Sequence, residues 1–267
     1  MRASTIPTAV VAESIRTGGR RGVVWTIGVP AAVLSGLLIT MAVAIVAEQF
    51  AAIGAASANP ASIQVTSATT PNAVYWIITF TVTIGAITAA YAQASAMREP
   101  ADDLERFSYV RSWTAPIARW LYYGTVTAVV SSALVVCTLL TLPRAFPLVY
   151  GGVELMSDAG LRFVWAVPLY GFGACGFGIG LAAVIANPAG AIALLLGWMY
   201  VVETAITLVP NGYQLQSYLP FLNGVYGTGQ ELALQTPWSR NSALAFFVAV
   251  SALVFAVGLL RLSRRRR

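Results

Sequence analysis

The chain has 267 residues, of which 58% are hydrophobic and only 10% are charged. Soluble domains carry roughly 25% charged residues, so this composition excludes an ordinary soluble protein and predicts an integral membrane protein. The net charge is +6, and all 16 basic residues are arginines because the chain has no lysine and no histidine. A nucleotide-binding P-loop, Schiff-base chemistry and histidine-dependent triads are therefore excluded.

The first predicted element is a short helix within residues 8–20, "TAVVAESIRTGGR". Val10, Val11 and Ile15 fall near one helical face, whereas Glu13 and Arg16 fall elsewhere. This pattern predicts an interfacial helix that ends near the paired glycines and leads into the first membrane span. A disordered tail is the alternative. We assign residues 1–22 to an N-terminal segment.

Six apolar stretches are long enough to cross a hydrocarbon core about 30 Å thick, which takes about 20 residues of helix. An alternating barrel pattern is missing, so the predicted fold class is all-α, a polytopic membrane protein with a membrane domain over residues 23–260. The first stretch has 25 uncharged residues, more than the roughly 7 to 15 of a secretory signal core, so we expect it to be retained. The stretches are Val23–Ala47, Ala73–Ala92, Trp120–Leu142, Phe163–Ile185, Ala189–Val209 and Ser242–Leu260.

The orientation follows from the arginines, because cytoplasmic loops carry the basic excess. With a cytoplasmic amino terminus, 13 of the 16 arginines are cytoplasmic, and only Arg144, Arg162 and Arg240 lie outside. Both termini are therefore expected in the cytoplasm, with residues 261–267 as a basic tail that anchors the last span. The positive charge suits anionic lipid headgroups rather than nucleic acid.

A charged connection, "SAMREPADDLERFSYVRSWTAPIARW", joins the second and third spans. Pro100 suits a first helical turn, Asp102 and Asp103 suit the positive end of the helix dipole, and Arg111 lies near the other end. Leu104, Phe107, Tyr109 and Val110 offer apolar contacts. We expect a short amphipathic helix against the inner membrane face, with its carboxylates forming a solvated surface rather than a metal site.

The fourth span is rich in glycine, "YGFGACGFGIGLAA". Gly176 and Gly180 are four residues apart, and Gly178 is four residues from an alanine on either side, a spacing that lets other helices approach closely. Helix packing is the predicted role, with a flexible hinge as the alternative. Cys137 and Cys175 are expected to be small packing residues within the spans.

The segment 210–241 contains "YLPFLNGVYG", which is too apolar for a free loop and too short to cross. It predicts a re-entrant or interfacial element, with an ordinary folded loop as the alternative. Just before it, Glu203 is the only charged residue within the six stretches, about 10 Å below the end of the fifth span. We expect it to face other helices or water and to be bonded to Tyr200 and Thr207. Three roles for Glu203 stay open: a structural contact near an outer gate, a place in the transport pathway, and proton coupling.

Several of these motifs resemble the ABC-2-type permeases, the membrane subunits of bacterial ABC exporters. The resemblance rests on "REPADDLERFSYVRSWTAPIARW", on "GFGIGLAAVIANPAGAIALLLGWMYVVE" and on "YLPF" after the fifth span, and as topology it covers nearly the whole chain. The chain departs from the family at Ala186, where a basic residue is common, and at Asp102 and Asp103, where a Gly-Thr pair is common.

The resemblance implies a permease subunit without enzymatic activity or cofactor of its own, in the bacterial plasma membrane. Two copies of a partner ATPase would bind ATP and Mg, and a second permease chain, identical or related, would complete a dimer. The helix near 99–111 would be the coupling helix, with contact residues Glu99, Asp102, Asp103, Glu105, Arg106 and Arg111. The expected function is export of an amphiphilic, drug-like or lipid-like substrate. A membrane scaffold without a transported substrate is the alternative, and an intramembrane enzyme ranks last.

Overall fold

The computed structural model describes residues 5–56, 67–109, 111–232 and 236–265. Regular structure in these ranges is helical throughout, and six helical stretches are long and apolar enough to span a membrane. The predicted all-α class is thus confirmed, and each of the six predicted spans is a helical stretch of sufficient length and apolarity to cross a membrane. The spans are Val24–Gly54, Thr70–Ala96, Thr114–Ala145, Asp158–Ile185, Pro188–Leu208 and Arg240–Arg265. Five of the six run longer than the apolar stretches, in part because helices continue through charged residues such as Glu48 and Arg119.

The α-helices of the described part are numbered in chain order. They are α1 Ile6–Arg16, α2 Val29–Ala56, α3 Tyr75–Ala96, α4 Ala101–Ser108, α5 Thr114–Ala145, α6 Pro147–Tyr150, α7 Asp158–Ile185, α8 Pro188–Leu196, α9 Glu203–Ala205, α10 Gly212–Gln216, α11 Pro220–Thr228 and α12 Arg240–Arg265. The predictions for residues 1–4, 110 and 266–267 lie outside the described ranges.

Helix α7 is the centre of the bundle and packs against α3, α5 and α12. In its most apolar stretch 67% of the residues are buried, against 17% in the fifth span. The three predicted packing glycines each face a different neighbour. A Cβ atom would lie 2.5 Å from the Trp120 ring at Gly176, 2.7 Å from the Ala86 carbonyl oxygen at Gly178, and 2.5 Å from the Val254 carbonyl oxygen at Gly180. Glycine therefore sets the spacing of all three helix pairs.

The bundle has two ends, which we call the terminal face and the distal face. An even number of spans brings α1 and the end of α12 to one side, the terminal face, where α1 packs against the start of α5 and α4 joins α3 to α5. The distal face carries α6, α10 and α11, which connect the spans on the other side.

The fifth span is not the continuous α-helix that its apolar run predicts. After α8 it widens into a π-helical segment, Gly197–Val202, then forms the single turn α9 and a 3-10 turn, Ile206–Leu208. A π-helix places residues five apart, rather than three or four apart, next to each other. Side chains on this span consequently have neighbours that α-helical spacing does not predict.

Candidate functional site

A buried ionic cluster at the terminal face is centred on Arg119, whose side chain is 0% exposed. Its Nη1 donates a hydrogen bond of 2.7 Å to Gln93 Oε1 at the end of α3. Its Nε lies 3.3 Å from Glu13 Oε1 of α1, and its Nη2 forms an ion pair with Glu105 of α4. One cation on α5 thus fastens three other helices.

The cluster fixes which face of α1 meets the bundle. Glu13 is buried and accepts two hydrogen bonds from Arg16, of 3.0 and 2.6 Å. Burial by itself would lower the pKa of Arg16, but the hydrogen bonds to the Glu13 carboxylate and the attraction of its charge, with smaller contributions from Tyr123 and Tyr109, together raise the pKa. Val11 and Ile15 are exposed on the helix surface. The charged side of α1 therefore faces the protein, and the apolar side is free to meet a membrane interface.

Helix α4 is shorter than the predicted 99–111 helix. Leu104 and Phe107, the apolar side chains predicted to face the membrane surface, are 66% and 79% exposed. Asp102 accepts a hydrogen bond of 2.7 Å from Arg106 along the helix, and Asp103 is exposed. The surface that α4 presents thus combines two large apolar side chains with charged ones.

The other predicted coupling residues lie around α4 or beneath it. Glu99 is exposed and precedes the helix, and Arg111 follows it, with its guanidinium 5.4 Å from the Trp113 ring centroid. Glu105 lies beneath the helix, where its carboxylate is buried against Arg119. On a helix of eight residues the side opposite Leu104 and Phe107 must face the bundle, and Glu105 lies there because Arg119 offers it a counter-charge.

At the distal face Glu203 is fully buried and caps the amino terminus of α11. Its carboxylate accepts hydrogen bonds from the backbone N–H groups of Phe221, at 3.0 Å, and Leu222, at 2.7 Å. Trp198 Nε1 donates a third bond of 3.1 Å. The segment predicted as re-entrant therefore contains a helix, α11, whose amino terminus is capped by the Glu203 carboxylate of the fifth span.

The carboxyl end of α11 is held by a cation. Arg162 of α7 donates two hydrogen bonds, of 3.1 and 2.7 Å, to the Gly227 carbonyl oxygen, and a third of 2.8 Å to Asn241 Oδ1. Because the amino end of a helix carries partial positive charge and the carboxyl end partial negative charge, Glu203 and Arg162 each complement the end that they meet. Helix α11 is thus fastened at both ends by side chains from two spans.

The predicted hydrogen bonds from Tyr200 and Thr207 to Glu203 are not formed. Tyr200 forms a hydroxyl pair with Thr83 of α3, and Thr207 donates to the Thr204 carbonyl oxygen at 2.9 Å. The prediction assumed α-helical spacing, under which residues three and four apart are neighbours. In the π-helical segment the neighbour is five apart, which is the spacing from Trp198 to Glu203.

A second acid repeats this arrangement at the distal face. The Glu48 carboxylate, eight residues before the end of α2, accepts bonds of 2.8 and 2.9 Å from the N–H groups of Leu148 and Val149 at the start of α6. Both α6 and α11 begin with proline, and neither has a capping side chain at its own N-cap residue, Phe146 or Leu219. Sequence reasoning missed both caps. In both helices the residue before the proline, at the N-cap position, is apolar, whereas Ser, Asp or Asn is usual there. This is the sequence signal that could have indicated a cap from elsewhere in the chain.

The cysteines and carboxylates of the described residues offer no metal centre, since no group of three or more potential ligands comes together there. Cys175 is buried and donates weakly to Thr127, whereas Cys137 is exposed on the surface of α5. The expected packing role thus holds for Cys175 only.

Comparison with known proteins gives no assignment: no protein-family model, no curated protein and no solved structure matches this chain.

Proposed function

We propose that this chain is the transmembrane permease subunit of an ATP-driven exporter, with α4 as the helix on which a separate ATPase docks. The observation that carries the proposal is the two-sided character of α4. Its outward side presents Leu104 and Phe107, and its inward side is bound through Glu105 to a fully buried arginine. An exposed pair of large apolar side chains on a short surface helix is a feature that a partner's pocket fits.

The Arg119 cluster supports a path from α4 to the spans. A displacement of α4 acts on Glu105, and through Arg119 it acts on α5, on Gln93 of α3 and on Glu13 of α1. Buried ion pairs of this kind resist separation, because removing one partner leaves an unpaired buried charge. The charges around Leu104 and Phe107, namely Asp103 and Arg106, would fix register with a partner more than they add affinity.

The remaining assignments follow from this role and from the resemblance to ABC-2-type permeases. The terminal face is cytoplasmic and the membrane is the bacterial plasma membrane. Two permease chains pair, and two ATPase subunits bind ATP and Mg beneath them. The substrate is an amphiphilic, drug-like or lipid-like molecule, and Glu203 with α11 forms part of the outer gate.

Affinity capture from native membranes tests the proposal. The chain should retain an ATPase that carries a P-loop, and the double variant Leu104→Ser, Phe107→Ser should lose at least about nine tenths of it, because hot-spot apolar side chains dominate such interfaces. Leu208→Ser is the matched control, since Leu208 is 86% exposed but lies at the distal face. A chain that folds normally and never retains an ATPase would overturn the proposal and favour a scaffold.

A further inference from the structure

A cavity of about 110 Å³, whose wall is mostly apolar, lies in the distal half of the bundle between α3, the π-helical segment of the fifth span and α11. Its residues include Thr83 and Tyr200, whose hydroxyls are paired with each other. Tyr75 and Tyr200 are partly exposed, so the cavity is reached from the surface of the bundle between α3 and the fifth span. Pockets for whole drug-sized ligands measure about 300 to 1,000 Å³, so this cavity has room for a headgroup only.

The electrostatic character of the cavity is set by Glu203. Of the described residues that line it, Glu203 is the only charged one, and no arginine is among them. Its three hydrogen-bond donors, the amides of Phe221 and Leu222 and the Trp198 indole, are all uncharged N–H groups. An anionic headgroup would meet only repulsion here, whereas a cationic headgroup would neutralise the carboxylate in a region of low dielectric constant.

Aromatic rings make up much of the remaining wall. Tyr75, Tyr170, Tyr200 and Phe221 all line the cavity. Tyr170 is only 2% exposed, whereas Tyr75 and Tyr200 are partly exposed. Several aromatic faces around a carboxylate are the arrangement that recognises quaternary ammonium groups.

We propose that this cavity binds the cationic ammonium headgroup of an amphiphile, whose apolar part stays at the bundle surface beside Tyr75 and Tyr200. The carboxylate of Glu203 supplies the counter-charge and the tyrosine rings supply cation–π contacts. As a statement about the exported substrate this rests on the proposed function, whereas the binding itself needs only this chain.

The test uses three water-soluble probes that share a branched trimethyl head and differ in charge: choline, 3,3-dimethylbutanol and 3,3-dimethylbutyrate. Each is titrated by ligand-observed NMR against the whole chain in nanodiscs, without any ATPase. Choline is expected to bind at least about tenfold more tightly than the neutral alcohol, because burial strengthens cation–π contacts, and the carboxylate probe is expected not to bind. Equal affinity for choline and dimethylbutanol, or no binding of any probe, overturns the proposal.

Variants assign the binding to the cavity. Tyr75→Leu and Tyr200→Leu should each lower choline affinity about three- to tenfold through loss of a ring face. Tyr91→Leu is the control, because Tyr91 is half-exposed on the same helix α3 but does not line the cavity. Glu203→Gln should abolish the preference for choline over dimethylbutanol. Unchanged choline affinity in both tyrosine variants, or an unchanged preference for choline in Glu203→Gln, overturns the site. If the chain does not bind choline but still captures an ATPase through α4, the proposed ligand class is refuted and the proposed function is not.

Discussion

At the scale of single residues, the protein stabilises two buried charges in different ways. Arg119 is surrounded by the carboxylates Glu13 and Glu105, so its charge is compensated by ion pairs. Glu203 has uncharged donors, and its charge is compensated by the partial positive charge at the start of α11. The first arrangement joins separate helices through one point, and the second fixes one helix in place.

Replacing Arg119 by Met should destabilise the chain by about 3 to 5 kcal/mol, because two buried carboxylates would lose their common counter-charge. Thermal unfolding in detergent, followed by circular dichroism, measures the change. The double variant Arg119→Met, Glu105→Gln should regain much of the lost stability, since it removes the buried charge of Glu105 and leaves Glu13 its hydrogen bonds from Arg16. Arg106→Gln, which breaks only an exposed pair with Asp102, should leave the midpoint unchanged within error.

Replacing Glu203 by Gln should destabilise the chain by about 1 to 3 kcal/mol, because the amide would direct an N–H group at a backbone N–H donor. Hydrogen exchange measures the local effect, and the amides of Phe221 and Leu222 should exchange faster. Thr207→Val serves as the control, because Thr207 is exposed and bonds only within its own turn. Unchanged protection of both amides in the Gln variant would show that the cap contributes nothing.

The sequence predicted that Glu203 faces protein and makes a polar contact, but it did not predict the partners. Glu203 is conspicuous because it is the only charged residue in its apolar run, and the cost of a charge in lipid directs it inward. Its partners depend on the π-helical turn before it and on α11, which approaches from 17 residues later in the chain (Pro220). Neither hydrophobicity nor spacing encodes such a contact. The same is true of Glu48 and α6.

At the scale of helices, α7 determines how closely the bundle packs. Glycines on its different sides admit α3, α5 and α12, and Gly258 of α12 approaches α7 in the same way, since a Cβ atom there would lie 2.6 Å from the Gly180 carbonyl oxygen. In a membrane the association of helices depends on such packing, because lipid tails solvate apolar side chains as well as protein does. The α7–α12 contact is therefore expected to be sensitive to one added methyl group.

Replacing Gly180 by Ala should lower stability by about 1 to 3 kcal/mol, because the new methyl group overlaps the backbone of α12 rather than a flexible side chain. Gly197→Ala is the matched control: a Cβ atom at Gly197 meets nothing within 4 Å, and the substitution is expected to be neutral or slightly stabilising. Unfolding midpoints of the two variants, measured in the same detergent, give the comparison. Similar midpoints would argue against close packing of α7 on α12.

Long helices were predictable from the sequence and short ones were not. Six apolar runs of membrane length leave few alternatives, because backbone hydrogen bonds must be satisfied within each segment. Helix α4 was predicted from its proline and its charges, although the predicted range 99–111 begins two residues too early and ends three residues too late. The burial of Glu105 was determined by the bundle. Helices α6 and α10 have only four and five residues. Such short helices have no periodicity to detect and are defined by tertiary contacts.

At the scale of the whole molecule, the two faces have different charged groups. The terminal face has the buried cluster around Arg119 and exposed arginines such as Arg98, Arg261 and Arg264. At the distal face two of the acids, Glu48 and Glu203, are bonded to backbone N–H groups, and the arginine Arg162 is bonded to a backbone carbonyl. Because exposed arginines near span ends are retained in the cytoplasm, this difference predicts that the terminal face is cytoplasmic.

Labelling of single cysteines with a membrane-impermeant maleimide in intact cells tests this orientation. In a background where Cys137 and Cys175 are replaced by Ala, Met156→Cys should be labelled directly, because Met156 is exposed in the connection between α6 and α7 at the distal face. Ser108→Cys, at the exposed end of α4, should be labelled only after the membrane is permeabilised. The reverse pattern would put α4 outside the cell, where no ATP-hydrolysing partner could reach it, and would refute the proposed coupling together with the orientation.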